Sequence, residues 1–191
     1  MTLNQWLVFF SIAAILILSA CDDLNNTVKS NAASEPSQIG TMSMDYSGSG
    51  EIPKGLKTAE DPAYHVGKDV AIHSKRVEGM DGATGTVVGA YDTIAYSVTY
   101  TPTNGGKPVA NHRWVIQEEI KDAGSEPLKQ EEMVTLEADH MEGMLGAEAK
   151  IDSGRKTTVY MVDYTPTIGG PPVRNYKWFV ERELSIRHYR R

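Results

Sequence analysis

Cysteine is all but absent from this sequence, Cys21 being the only one. Once that residue is consumed by the modification argued below, no thiol remains for a disulfide or a thiolate metal site. A metal held by this chain therefore takes its donors from histidine, methionine, carboxylate or backbone. Long hydrophobic runs are lacking too. The apolar stretch from Trp6 to Leu18 is about 13 residues, short of the ~20 that a membrane-spanning helix needs. Enzyme signatures are missing: there is no Gly-x-Ser-x-Gly, no His-Glu-x-x-His and no phosphate-binding glycine loop, and a non-enzyme is expected. A surplus of positive charge is also missing. The net charge of −6 disfavours nucleic acid, and the basic tail Arg187 to Arg191 is too short to reverse it.

What the N-terminus does contain is Leu18-Ser19-Ala20 running into Cys21 directly after the apolar stretch. This reads as a lipobox. Residues 1–20 are then a signal peptide cut before Cys21, whose sulfur carries a diacylglycerol. The expected product is tethered to the outer face of the cell membrane, because two acyl chains at ~0.8 kcal/mol per buried methylene hold where one does not. One feature departs from the pattern, since the first basic side chain is Lys29. Residues 21–52 are rich in Ser, Asn and Gly and poor in large apolar side chains, the composition of a flexible leash. At ~5–6 Å × √n it reaches on the order of 30 Å. Met42 and Met44 within it are candidate soft ligands, although chance composition accounts for them as well.

The remainder is duplicated. Shifting the sequence by 64 residues aligns Leu56 with Ile120 and continues without a gap to Glu119 against Glu183. Glu78-Gly79-Met80 falls on Glu142-Gly143-Met144, Tyr100-Thr101-Pro102-Thr103 on Tyr164-Thr165-Pro166-Thr167, and Trp114 on Trp178. Two copies of a unit this long predict two small globular domains, 53–121 and 122–191, and not a solenoid. Each is expected to be β-rich. Thr93 to Tyr100 and Thr157 to Tyr164 carry β-branched and aromatic residues, and Tyr96, Val98 and Tyr100 recur at period two. The Thr-Pro-Thr-x-Gly-Gly segments predict turns, because proline cannot continue a central strand. His112 to Ile116 reads as a returning strand with Trp114 as a core plug. The predicted fold class is all-β, two tandem small SH3-like barrels behind the lipidated leash, with an α+β roll as the alternative. Domains this small are marginal alone, so the copies are expected to support each other.

His140-Met141-Glu142-Gly143-Met144, the Thr-Pro-Thr-x-Gly-Gly turn and Asn111-His112-Arg113-Trp114 together resemble the YdhK family of Gram-positive lipoproteins. That family repeats a domain of unknown function behind a lipobox. A staphylococcal member, the surface lipoprotein CopL, is linked to copper resistance, and the resemblance implies copper binding here. Cu(I) is soft and suits thioether and imidazole, whereas Zn(II) is held by His, thiolate and carboxylate. The candidate ligands are His140, Met141, Met144, His112 and Met80, with the second repeat dominant; copper is not required for folding. The family's histidines are replaced by Arg76 in the first repeat and Tyr176 in the second. Met80 and Met144 equally read as core fillers, and His65, His73 and His188 as silent. The function expected is surface sequestration of copper. The alternative is a pair of modules that contacts cell-wall polymer or another envelope protein, with Tyr96, Tyr100, Tyr160, Tyr164 and the tryptophans lining a groove.

Overall fold

The alternation at Thr93 to Tyr100 belongs to a much longer strand. In the computed structural model, which describes residues 48–187, strand β3 runs from Thr84–Tyr100 and its duplicate β6 from Glu148–Thr165. At ~3.3 Å per residue each is roughly 55 Å long. The two pair antiparallel along their whole lengths, from Thr84 opposite Thr165 to Tyr100 opposite Ala149. Around this ribbon, β1 (Lys57–Thr58), β2 (Asp69–Ile72) and β4 (Val109–Ile116) pair with β3. In the same way β5 (Met133–Thr135) and β7 (Val173–Val180) pair with β6, and β8 (Leu184–Ile186) closes on β2. The result is one eight-stranded sheet. The class is all-β, as expected, and the helical elements among the described residues are two three-residue 3-10 turns, Gln117–Glu119 and Glu181–Glu183. The expected signal peptide 1–20, Cys21, Met42, Met44 and the tail from His188 onward lie outside the described residues.

The expectation of one small SH3-like barrel per repeat is replaced by a single sheet shared by both repeats, as the position of the cores shows. Val70, Ile72, Met80 and Val87 of the first repeat pack with Tyr160, Val162, Phe179 and Leu184 of the second. The equivalent core of the other lobe joins Tyr96, Val98, Val115 and Ile120 to Leu136, Met144, Ala149 and Ile151. Each lobe therefore combines the first half of one repeat with the second half of the other. Between the lobes, Trp114 and Trp178 share a third core with Tyr91, Ala95, Val159 and Met161. The reason is the length of β3 and β6: each strand feeds one lobe with its first half and the other lobe with its second. The boundaries 53–121 and 122–191 mark the duplication, while the packed units cross them.

The repeated motifs meet across copies as well. Thr103 N–H in the first Thr-Pro-Thr turn donates to the Gly143 carbonyl at 2.9 Å, and Thr167 N–H donates to Gly79 at 2.9 Å. Gly79 and Gly143 both hold φ +76, and a Cβ on Gly143 would come within 2.9 Å of the Asn104 side chain. Glycine is needed there on both counts. The link between repeats is pinned by Gln117, whose Nε2 donates to the carbonyls of Ala123, Gly124 and Glu126 at 3.2, 3.1 and 2.9 Å. The last leash residues are seated also. Gly48 N–H donates to the Arg174 carbonyl at 2.8 Å, and Lys177 Nζ donates to the Glu51 carbonyl.

Candidate metal centre

The exchange of halves brings His112, on β4 of the first repeat, beside His140, in the loop before β6 of the second. Their ring centroids lie 6.2 Å apart. Both rings line a cavity of about 450 Å³, shared with Met141, Asp139, Asn111 and Arg76. The strand that delivers His112 is irregular. Its register against β3 slips between Tyr96 and Ser97, Asn111 holds φ 52, and the Arg113–Trp114 peptide bond is cis, as is Lys177–Trp178 in the second copy.

Glu119 orients His140. Its carboxylate accepts from His140 Nε2 at 2.8 Å, from Trp178 Nε1 at 3.1 and 3.0 Å and from the Ile116 N–H at 3.2 Å. The His140 and Glu119 side chains are 9% and 6% exposed. A carboxylate only accepts, so the hydrogen is assigned to Nε2, and in the neutral ring Nδ1 presents its lone pair. That Nδ1 atom is buried without a partner, as is His112 Nε2. Burial, reinforced by His140 and Arg76 and partly offset by Glu119, lowers the His112 pKa from 6.5 to about 4. His112 is thus a neutral imidazole with an unused nitrogen at neutral pH. Buried polar atoms are normally satisfied; two orphaned imidazole nitrogens in adjacent rings are the arrangement a metal ion would complete. Two imidazoles that each put a nitrogen about 2 Å from one shared ion have centroids roughly 5 Å apart at a tetrahedral angle and roughly 6 Å apart at a near-linear one, so the observed separation suits the wide angle.

The other lobe keeps the frame and changes the occupants. Arg76 takes the place of His140, with Nη2 donating to Glu183 Oε2 at 3.2 Å; Glu183 also accepts from Trp114 Nε1 at 2.9 Å and from the Val180 N–H at 3.0 Å. Tyr176 takes the place of His112, and the Arg76 guanidinium lies 5.6 Å from its ring.

Residues 66–117 and 131–181 each match the family described as "Protein of unknown function (DUF1541)". The chain belongs to this family. It is 51% identical over 176 residues to the Bacillus subtilis (strain 168) protein named "Uncharacterized protein YdhK", an alignment that covers 92% of this chain and 86% of that protein. A crystal structure of YdhK from the same organism superposes with a TM-score of 0.74 at 57% identity, covering 76% of this chain and 99% of the solved one. A second crystal structure of YdhK gives 0.61 at 60% identity over 62% of this chain and 97% of its own. The DUF1541 tandem is thus the duplication seen at 64-residue spacing.

The remaining sequence candidates separate by burial. Met80 and Met144 are 0% exposed, each inside a core, which places their sulfurs in packing and out of reach of an ion. Met141, 42% exposed, lines the cavity. His73 is exposed and bonds Ser185 Oγ through Nε2 at 2.7 Å, apart from the cluster. Among the described residues no group of three or more His, Cys, Asp or Glu is placed to hold a metal; the imidazole and thioether side chains that line the cavity are those of His112, His140 and Met141. A larger cleft of about 920 Å³, between Lys54, Asp92 and Lys156, is lined by neither imidazole nor thioether. Sequence reasoning missed Glu119. The signal was present: the carboxylate recurs as Glu183 five residues after each repeated tryptophan.

Proposed function

We propose that this protein is a cell-surface lipoprotein that binds copper as Cu(I), through His112 and His140 with Met141 as a soft third donor, and sequesters it outside the membrane. The observation that carries the reading is the pair of buried, unpartnered nitrogens, His112 Nε2 and His140 Nδ1, in rings 6.2 Å apart. Imidazole and thioether suit Cu(I), and a two-imidazole site with no carboxylate or thiolate ligand is poor for the tetrahedral preference of Zn(II). Copper is cargo in this reading, with no bond making or breaking asked of the protein. The anchor is the lipid on Cys21, which sets the site at the outer face of the membrane.

The polymer-binding alternative loses its groove. Tyr96, Tyr100, Tyr160, Tyr164, Trp114 and Trp178 are all at most 3% exposed, so those rings are packing and offer no stacking face. The test is a Cu(I) titration of the chain from residue 22 onward in competition with a chromophoric chelator. One tightly held ion per chain is expected. Failure to draw Cu(I) from the chelator would remove the copper reading.

A further inference from the structure

The first lobe places a guanidinium where the second places an imidazole, and both face one cavity. Arg76 lines that cavity with His112 and His140. Its Nη1 donates to the Arg113 carbonyl at 2.7 Å, next in the chain to His112, and to the Trp178 carbonyl at 2.9 Å, next to Lys177. Its Nε donates to Ser74 Oγ at 2.8 Å and its Nη2 to Glu183. Four bonds hold the charge in place. The Arg76 and Glu183 side chains are 17% and 12% exposed.

We propose that Arg76 is a specificity residue, a fixed cation that lets a monovalent soft ion settle between His112 and His140 and disfavours a divalent one. The inference rests on the two-histidine site proposed above. Its basis is charge balance among the groups that water screens least. Glu119, behind His140, and Glu183, behind Arg76, are two carboxylates; Arg76 is one cation. One negative charge is left over, which a monovalent ion neutralises and a divalent ion overshoots. Arg113 and Asp139 also line the cavity but are exposed, and the Lys177 ammonium lies in an exposed position on the Glu51 backbone carbonyl, so their fields are weakened by solvent and salt. At the effective dielectric of a partly buried site, one unit charge several ångströms away changes affinity by about tenfold or more per unit of ion charge. Arg76 therefore acts twice as strongly on Zn(II) as on Ag(I) or Cu(I).

The experiment measures the ratio of Zn(II) to Ag(I) affinity for the chain from residue 22 onward by competition titration, with a thermal melt of each variant. Arg76→Leu, which removes the charge without adding a donor, should raise the ratio by about tenfold, Arg76→Lys should leave it within about threefold of the parent, and Glu183→Gln should lower it by about tenfold. An unchanged ratio in both Arg76→Leu and Glu183→Gln overturns the proposal, as does Arg76→Lys shifting as far as Arg76→Leu. If Arg76→Leu does not fold, Glu183→Gln decides alone, since it moves the ratio in the opposite direction. A parent chain that binds neither ion would instead overturn the two-histidine site itself.

Discussion

Three methionines within reach of the repeated Gly-Met motifs behave in two ways, and burial decides which. Met80 and Met144 are fully buried, so truncation to alanine should cost ~2–5 kcal/mol through lost packing. Replacement of either by leucine should cost under ~1.5 kcal/mol and leave metal affinity unchanged. Met141→Ala should do the reverse, weakening Cu(I) binding while the melting curve barely moves, because that side chain is 42% exposed. Denaturant melts paired with titration separate the two. The histidines add a pH signature. Folding lowers the His112 pKa to about 4 from 6.5, so between those values the unfolded chain takes up a proton that the folded chain refuses. Stability of the metal-free protein should be full above pH ~6.5 and fall as pH drops toward 4, by on the order of 2–3 kcal/mol. His112→Gln should flatten that slope. A slope unaltered by the substitution would mean that other groups carry the acid sensitivity.

At the scale of elements, the duplication, the Thr-Pro-Thr turns, the β3–β4 hairpin and the burial of both tryptophans were legible in the sequence. Each rests on a local pattern: a 64-residue offset, a proline beside two glycines, alternation at Tyr96, Val98 and Tyr100. The exchange of halves was not legible. A repeat identifies equivalent residues but not which copy supplies a partner, because Val87 meets equivalent chemistry whether it packs on its own copy or on Val162 of the other. The same ambiguity hid the site, since His112 and His140 belong to different repeats and only the antiparallel pairing of β3 with β6 joins them. The interleaving makes a direct prediction. A protease site inserted between Gly124 and Ser125, then cleaved, should leave two fragments that stay associated, with a melting temperature that rises with concentration. Fragments that separate and melt cooperatively on their own would show that each repeat is an independent domain.

For the whole molecule, two lobes of one ancestry have diverged around a shared cavity. One lobe keeps an imidazole pair backed by Glu119; the other holds the Arg76–Glu183 pair stacked on Tyr176. A chain divided into separate domains would place any ion in the second repeat alone, through His140, Met141 and Met144. The interleaved sheet instead brings His112 and His140 of different repeats together, and in the proposed site they hold the ion as equal partners. The most direct measurement is Cu(I) affinity, by chelator competition, of His112→Ala beside His140→Ala and Met144→Leu. The account predicts that each histidine variant loses at least about tenfold while Met144→Leu binds as the parent does. A His112→Ala protein that holds Cu(I) as tightly as the parent, with the affinity lost in Met144→Leu, would contradict it.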